Sequence, residues 1–207
     1  MITIELARTL YPVDADSAHD FDHVLRVVAM ADRIAQAEGA DRDVVRAAAL
    51  LHDIGLDEGR AGHETSAANR AKDILTAQGY AESFCQAVAH AIESHRFRSG
   101  PTPQTLEAKV LFDADKLDAI GAIGVARAFA FGAHRGQKLW GVVPPDYVDP
   151  PEGADPGHHT AVHEFHVKLS KIKDRMFTTT GKQIAAERHA FMVQFYEQLD
   201  QEVAGEK

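Results

Sequence analysis

Apolar residues recur at intervals of three and four positions along most of this 207-residue sequence. This is the repeat of a helix that buries one face. The first such segment covers about residues 20–38, and Gly39 follows it as a helix stop. Its apolar positions are Val24, Val27, Val28, Ala31, Ile34 and Ala35. A second helix is predicted to begin after Asp41, which suits an N-cap, and to carry His52 and Asp53 at its C-terminal end.

The same spacing predicts helices over about 63–78, from Phe84 to beyond His95, and over 104–131, 160–176 and 179–202. His95 shares the apolar face of its helix, whereas His90 lies on the other side. We interpret Gly121 and Gly124 as sites of close packing or local irregularity, not as a helix break. Residues 132–157, rich in glycine and proline, are predicted to form a long loop. The sequence has no sustained strand-like alternation, so the predicted fold class is all-α.

The composition indicates one globular domain, because 45% of the residues are hydrophobic and 207 residues do not require a second core. The single cysteine, Cys85, excludes an internal disulfide and a multi-cysteine zinc site, and we interpret it as a packing residue. The formal net charge of −9 disfavours binding to polymeric nucleic acid or to an anionic membrane. No apolar run reaches the roughly 20 residues of a membrane span. The N-terminus lacks the layout of a signal peptide, so a cytoplasmic location is predicted.

Three separated segments carry residues that suit a divalent metal ion. His23 lies on the apolar stripe of its helix, His52-Asp53 ends another apolar helix, and Asp115 interrupts a run that should be buried. A lone histidine on an apolar face is more often a hydrogen-bonded core residue than a ligand. Buried carboxylates without a partner are costly, however, and a cation is a suitable partner for two of them beside two imidazoles. The set therefore favours a metal site assembled from distant segments.

The ordered pattern of these residues resembles the HD superfamily of metal-dependent phosphohydrolases. The sequences that resemble its three motif blocks are His23-Val-Leu-Arg-Val-Val-Ala, Ala-Leu-Leu-His52-Asp53-Ile-Gly and Asp113-Ala-Asp115-Lys-Leu-Asp-Ala-Ile-Gly-Ala. The tail resembles the bacterial YedJ/YpgQ-like subgroup in three stretches, Lys173-Asp-Arg-Met, Thr180-Gly-Lys and Glu187-Arg-His. The resemblance implies an HD-domain helical bundle in which residues 1–207 form a single domain. Its motif core would cover about 16–131, with C-terminal helices at 160–202 packed on it.

The resemblance implies that the protein ligands of the metal are His23, His52, Asp53 and Asp115. Asp115 takes the place of the family's final acidic ligand in preference to Asp113, and Asp118 would orient the ligands. Mixed nitrogen and oxygen ligands favour Mn²⁺, with Mg²⁺, Ni²⁺, Co²⁺, Fe²⁺ and Zn²⁺ as alternatives. His63 and His95 lie where some branches of the superfamily hold a second metal; the alternative is that they hydrogen-bond phosphate or pack beside the site. We predict a mononuclear site lined by both histidines.

The chemistry that such a site implies is hydrolysis at phosphorus. Asp53 counts among the catalytic residues because it would hold the reactive metal. Candidates for accepting the proton of water are Glu64 and, as alternatives, Asp57 and Glu58. Candidates for neutralising phosphate are Arg26, Lys116 and Lys173. Lys116 has the strongest case because it is fixed beside the predicted ligand.

The resemblance to the subgroup implies hydrolysis of a small nucleotide, with release of pyrophosphate from nucleoside triphosphates. The alternatives are an HD phosphodiesterase or 5′-nucleotidase with a different substrate, and a non-catalytic module that binds metal or nucleotide. We favour catalysis because a purely structural bundle could replace these buried polar groups by apolar ones at little cost. The sequence does not predict the oligomeric state.

Two further segments are assigned no function. The residues interpreted as a surface group or an adventitious metal site are His158, His159, His163 and His166, which lie outside the motif blocks. The stretch that contains His134 and Arg135 is interpreted as a plain loop. It lacks the Lys-Ser/Thr pair that follows the glycine-rich loop of a nucleoside-triphosphate P-loop.

Overall fold

The computed structural model describes residues 2–11, 21–55, 62–96, 101–148 and 158–207. Within these residues the chain forms α-helices and a 3₁₀-helix and no strand, which confirms the predicted all-α fold class. Two compact units can be distinguished. The first runs to Lys116 and includes Met176–Gly181, and the second comprises Leu117–Arg175 and Lys182–Lys207. That the whole chain forms a single domain stays a prediction.

The helices in chain order are α1 (Ile4–Arg8), α2 (Phe21–Glu38), α3 (Arg42–Leu51), α4 (His63–Ala77), α5 (Glu82–Glu93), α6 (Leu106–Leu117), α7 (Gly121–His134), α8 (Ala161–Val167), a 3₁₀-helix (Leu169–Arg175) and α9 (Thr179–Ala204). Most ends agree with the predicted ends within one or two residues. Helix α5 ends at Glu93, earlier than predicted, and α1 is not among the predicted helices. None of the described helices combines the length and apolar character that a membrane crossing needs.

The core of the first unit lies between α2, α3, α4 and α5. Helix α2 packs on α3, α3 packs on α5, and α4 packs on α5. The predicted apolar stripe of α2 is buried, and Leu51 on α3, Leu75 on α4 and Ile92 on α5 are fully enclosed. Each such side chain contributes roughly 1.5–3 kcal/mol when it leaves water. The same core buries Cys85, as predicted.

Helix α3 is fixed at both ends. At its start, the Asp41 carboxylate accepts hydrogen bonds from two backbone N–H groups of the first turn, at 2.9 and 3.2 Å, which confirms the predicted cap. At its other end His52 is the C-cap, so His52 and Asp53 lie at a helix-to-turn junction, as predicted. Gly55 lets this turn approach α4, because a Cβ at Gly55 would lie 2.6 Å from the His63 carbonyl oxygen.

A buried carboxylate holds the C-terminal segment of the first unit against α6. Asp113 accepts hydrogen bonds from the Phe177 N–H (2.9 Å), the Thr178 N–H (2.8 Å) and the Thr178 hydroxyl (2.6 Å). The Thr178 hydroxyl oxygen in turn accepts from the Gly181 N–H (2.9 Å) in the first turn of α9. Asp113 is therefore committed to positioning α6, the helix that carries Asp115.

The predicted single helix through Gly121 is wrong, because the chain breaks between α6 and α7. Gly121 has φ +79°, a left-handed conformation that glycine adopts at low cost. Side chains bind the carbonyl oxygens that a further helical turn would use. Arg188 donates to the Leu117 carbonyl oxygen, and Arg127 donates to that of Asp118 at 3.0 Å. Such bonds from distant residues leave no trace in the apolar repeat.

The predicted long loop begins later than the sequence indicated. Helix α7 continues through His134, because the Arg135 N–H still bonds to the Phe131 carbonyl oxygen at 3.2 Å in the helical pattern. The interpretation of His134 and Arg135 as a plain loop is therefore wrong. From Gln137 to Val148 the described chain contains neither helix nor strand, and residues 149–157 lie outside the described residues.

The predicted helix over 160–176 changes type after Val167. Lys168 leaves the α-helical conformation at φ −133°, and the chain continues as a 3₁₀-helix. The Lys171 N–H donates to the Lys168 carbonyl oxygen at 3.0 Å, three residues back. The Lys168 amine meanwhile turns back to the Glu164 carboxylate at 2.6 Å, a contact that the apolar repeat does not encode.

Candidate metal centre

Six side chains converge in the interior of the first unit. They are His23 on α2, His52 at the end of α3, Asp53 after it, His63 at the start of α4, His95 after α5 and Asp115 on α6. Among the described residues, two groups of His, Cys, Asp or Glu place three ligand atoms within 4.8 Å of one another. The first ligand group is His23, His52 and Asp115, and the second ligand group is Asp53, His63 and His95.

Asp53 belongs to the second ligand group and also faces the histidines of the first. Its Oδ2 is 3.4 Å from His52 Nε2 and 3.8 Å from His23 Nε2. Its Oδ1 is 3.6 Å from Nε2 of both His63 and His95. These separations are longer than good hydrogen bonds. They approach the roughly 3.0–3.4 Å between ligands that each lie about 2.1 Å from one ion. Each carboxylate oxygen of Asp53 therefore faces a different pair of imidazoles.

Backbone carbonyl oxygens fix the tautomers of two imidazoles. His52 Nδ1 lies 2.9 Å from the Ala49 carbonyl oxygen, and His95 Nδ1 lies 2.5 Å from that of Ile92. Because a carbonyl oxygen only accepts, Nδ1 carries the proton and the Nε2 lone pair faces the site. His52 Nε2 is buried and has no hydrogen-bond partner among the described residues. A buried lone pair beside two carboxylates is costly without a cation, so these residues fit a divalent metal ion.

Burial and neighbouring charges favour the protonation states that metal ligands need. Burial lowers the pKa of His52 to about 4, so this imidazole is neutral at pH 7. Burial alone would raise the pKa of Asp53, but His52 and the other imidazoles around Asp53 outweigh it and hold this pKa well below its ordinary value. Burial acts in the same direction on Asp115, and Lys116 with nearby imidazoles holds the pKa of Asp115 low. The site thus presents two carboxylates beside a neutral imidazole.

Charged side chains flank both ligand groups. Beside the first, Lys116 forms an ion pair with Asp115. Beside the second, the Glu64 carboxylate accepts from Arg96 Nη1 at 3.0 and 3.3 Å and lies 3.4 Å from His63 Nδ1. The side chains of Arg96 and Glu64 are 11% and 9% exposed. The sequence analysis missed Arg96, and its position directly after His95 is the one sequence signal that could have indicated it.

The other residues named from the sequence lie in different surroundings. Asp118 belongs to the second unit, where its carboxylate accepts from Arg127 Nη1 at 2.7 Å. Lys173 also belongs to the second unit, on the 3₁₀-helix, and Arg26 is half-buried on α2. Their roles stay predictions. Two further candidates lie outside the described residues, Asp57 and Glu58.

A separate histidine cluster lies in the second unit. His163 Nδ1 lies 2.8 Å from the Thr160 hydroxyl. His159 is half-buried, with Nδ1 2.9 Å from the Tyr147 hydroxyl and Nε2 3.0 Å from the Glu164 carboxylate. These residues, together with Lys168, are the second-unit cluster. They form no ligand group of the kind found in the first unit among the described residues.

The second-unit cluster corrects the interpretation of its histidines as surface residues. His163 is only 4% exposed, because α8 buries the face that it shares with Val162 and Phe165. The interpretation holds for two members of the predicted group, His158 and His166, which are exposed.

The HD domain family matches residues 20–120. The Bacillus subtilis protein YpgQ is 36% identical over 196 residues, which cover 93% of this chain and 88% of YpgQ. A crystal structure of YpgQ in complex with ADP is similar at 33% identity with a TM-score of 0.75, over 98% of this chain and 99% of that one.

A crystal structure of an HD-superfamily hydrolase from Bacillus thuringiensis is also similar, at 33% identity and a TM-score of 0.73, over 97% of this chain and 94% of that one. The likeness to YpgQ extends beyond the HD motifs into the tail, which confirms the predicted subgroup resemblance. This chain therefore belongs to the HD superfamily of metal-dependent phosphohydrolases.

Proposed function

We propose that this hydrolase converts nucleoside triphosphates to nucleoside monophosphates and pyrophosphate with the help of a divalent metal ion. The observation that carries the proposal is the pair of buried ligand groups joined by Asp53. The likeness to YpgQ, which has been crystallised with ADP, supports nucleotides as the substrate class. Water would attack the α-phosphorus, and the bond from that phosphorus to the bridging oxygen would break.

We propose the sequence-predicted set as metal ligands: His23, His52, Asp53 and Asp115. His23 Nε2 lies 3.4 Å from Asp115 Oδ1, and His52 offers a lone pair that the described protein leaves without a hydrogen bond. A divalent cation bound there would supply Lewis acidity toward phosphoryl oxygens and lower the pKa of water. Mn²⁺ is our first choice for mixed nitrogen and oxygen ligands.

The position of Asp53 favours a second ion over the mononuclear arrangement predicted from the sequence. One oxygen faces the first ligand group, and the other faces His63 and His95 at 3.6 Å each. A carboxylate that offers one oxygen to each of two imidazole pairs could contribute a ligand to each of two metal ions. We propose that His63 and His95 hold this second ion.

Two charged side chains beside the ligand groups would assist the reaction. We propose that Lys116 neutralises charge on the substrate and that Glu64 accepts a proton. Lys116, whose side chain is 14% exposed, lies beside Asp115 and would neutralise a phosphoryl oxygen there. Glu64 lies at the edge of the second ligand group, in contact with His63 and Arg96, and would take up a proton that leaves the site.

The test is to strip metal from the purified protein, restore one divalent ion at a time, and follow products from a nucleotide panel by ³¹P NMR. Mn²⁺ should restore conversion of triphosphates to monophosphate and pyrophosphate. The matched variant Asp53→Asn should remain helical by circular dichroism and lose nearly all hydrolysis, by about 10³-fold or more. Cleavage restricted to monophosphates or cyclic nucleotides would instead support a 5′-nucleotidase or phosphodiesterase, and metal-independent turnover would contradict the proposal.

A further inference from the structure

Two cationic side chains lie beside the imidazoles of the first unit. The ring centroids of His23 and His52 are 5.4 Å apart, those of His52 and His95 are 5.3 Å apart, and those of His95 and His63 are 5.4 Å apart. Lys116 pairs with Asp115, whose Oδ1 lies 3.4 Å from His23 Nε2. The Arg96 guanidinium pairs with Glu64, which lies 3.4 Å from His63 Nδ1. One cation therefore lies beside each ligand group.

Cations beside both ligand groups suit a substrate with more than one phosphoryl group. The first ligand group lies beside Lys116 and faces Oδ2 of Asp53, and it is where we place the attacked phosphorus. The remaining phosphoryl groups would then lie toward His95 and His63. A substrate with one phosphoryl group would occupy only the first ligand group.

We infer that Arg96 binds the pyrophosphate part of the substrate and stabilises it as it leaves. This inference rests on the proposed hydrolysis of nucleoside triphosphates. In that step the water oxygen bonds to the α-phosphorus, and the bond from the α-phosphorus to the bridging oxygen breaks. Pyrophosphate departs with that electron pair, and the proton of water passes to a carboxylate and then to solvent. Negative charge develops on the departing oxygen, where a fixed cation acts most strongly.

The contacts of Arg96 are suited to this role. Its side chain is only 11% exposed, so a bound phosphoryl group would meet the guanidinium in partly desolvated surroundings, where charge-assisted hydrogen bonds are strong. Glu64 fixes the guanidinium by accepting from Nη1 at 3.0 and 3.3 Å. A guanidinium carries five N–H donors in a rigid fork, and this geometry matches phosphate as well as carboxylate. Glu64 then acts as a positioning residue for Arg96.

The simpler alternative is that Arg96 only neutralises Glu64 in a buried ion pair. Removing it would then leave an unpaired carboxylate and impair every substrate alike. A pyrophosphate contact, in contrast, affects only substrates or ligands that carry the extra phosphoryl groups. Two substrates with the same α-phosphoryl centre and different leaving groups separate these alternatives.

The experiment compares a nucleoside triphosphate with the 4-nitrophenyl ester of the same nucleoside 5′-monophosphate. For Arg96→Gln we expect kcat/KM to fall about 10- to 100-fold more for the triphosphate than for the ester. Arg96→Lys keeps the charge opposite Glu64, so its kcat/KM should fall less, but again more for the triphosphate than for the ester. This variant replaces Arg96→Gln in the test if Arg96→Gln fails to fold. Inhibition of ester hydrolysis by pyrophosphate should weaken in both variants.

The matched control is Arg42→Gln, which removes another paired arginine. Arg42 pairs with Asp32 on the surface, at 2.7 Å, and begins α3. It lies about 15 Å along the helix from His52. In this variant kcat/KM should stay unchanged for both substrates.

If kcat/KM of the Arg96 variants falls by the same factor for both substrates, and pyrophosphate inhibits them as it inhibits wild type, the proposed role of Arg96 is wrong. The proposed function would then remain intact. If the wild type hydrolyses neither substrate, the proposed function fails. Calorimetry of pyrophosphate binding to wild type and Arg96→Lys then still tests the role of Arg96. Weaker binding to Arg96→Lys would support this role, and equal affinities would overturn it.

Discussion

In the first unit, four imidazoles turn Nε2 toward the carboxylate of Asp53 at 3.4–3.8 Å. In the second unit, the imidazoles of His159 and His163 lie at hydrogen-bond distance from hydroxyl and carboxylate groups, at 2.8–3.0 Å. Both clusters combine histidines with acidic residues in buried or half-buried positions. Their contact distances differ in a way that residue types alone do not reveal.

Hydrogen-bond partners distinguish a ligand histidine from a structural one. The nitrogen atoms of His159 meet Tyr147 and Glu164, and Lys168 neutralises that carboxylate, so the second-unit cluster is complete without a cation. His52 uses Nδ1 on a backbone carbonyl oxygen and leaves Nε2 buried without a hydrogen bond. The arrangement in the second-unit cluster stabilises a fold, and the arrangement of His52 in the first unit fits a metal ion.

The largest expected effect comes from removing the carboxylate that joins the two ligand groups. Asp53→Asn keeps the shape of the side chain and removes its charge, so hydrolysis should fall by about 10³-fold or more. Glu164→Gln makes the same chemical change in the second-unit cluster and should keep most activity while lowering stability. Steady-state kinetics and thermal unfolding of both variants check this contrast. Equal losses of activity would erase the proposed difference between the clusters.

The next effect concerns the number of ions. His95→Gln removes an imidazole from the second ligand group, so bound Mn²⁺ should drop from two ions to one per chain, with activity lower by about 10- to 100-fold. His163→Gln, in the second-unit cluster, is the control and should leave the ion count unchanged. Elemental analysis after equilibrium dialysis measures both. A count of one ion per chain in both wild type and His95→Gln would restore the mononuclear arrangement, and two ions in both would show that His95 does not hold the second ion.

The pH dependence of stability gives a third contrast. Burial alone would raise the pKa of Glu164, but His159 and Lys168 outweigh it and lower this pKa from 4.5 to about 2. Glu164 therefore stabilises the fold above pH 4.5, and this contribution disappears as the pH falls toward 2. After allowance for partial exposure it amounts to about 2 kcal/mol.

Urea unfolding of metal-free wild type and Glu164→Gln between pH 5 and pH 2 tests this contribution. The difference between their free energies of unfolding should shrink as the pH falls. His52 is present in both proteins, so its effect cancels in this difference. Because its folded pKa is lowered from 6.5 to about 4, the stability of both proteins should fall as the pH drops between those values. A pH-independent difference for Glu164→Gln would contradict the assigned ion pair.

The smallest effect belongs to a hydroxyl. Thr160 caps α8 and lies 2.8 Å from His163 Nδ1. Thr160→Val should lower the free energy of unfolding by about 1 kcal/mol. Hydrolysis at the first-unit site should not change. Chemical denaturation measures the free energy of unfolding, and a kinetic assay measures hydrolysis. A large loss of activity would show that the second-unit cluster takes part in the reaction.

The sequence was sufficient for the parts of the fold that depend on local repeats. The apolar stripe of α2 and the Asp41 cap of α3 are both present as predicted. The break before Gly121 was not predictable, because Arg127 and Arg188 satisfy the carbonyl oxygens that end α6 from positions nine and 71 residues away in the sequence. Local patterns carry no information on such contacts.

The candidate site also has one part that the sequence predicts and one part that it does not. His23, His52, Asp53 and Asp115 stand out in the sequence because they interrupt apolar faces, and the structure brings them together. The Glu64–Arg96 pair joins residues that are 32 positions apart, and no spacing rule connects them. The same limit explains why the buried position of His163 escaped the sequence analysis.

The most direct test of the account is an anomalous difference map from crystals of the protein grown with Mn²⁺. We predict two peaks in the first unit, one among His23, His52, Asp53 and Asp115 and one among Asp53, His63 and His95. The second-unit cluster should show none, because both nitrogen atoms of His159 and Nδ1 of His163 already meet protein partners. Manganese bound at the second-unit cluster, with none beside Asp53, would contradict the central claim that the Asp53 site is the metal centre.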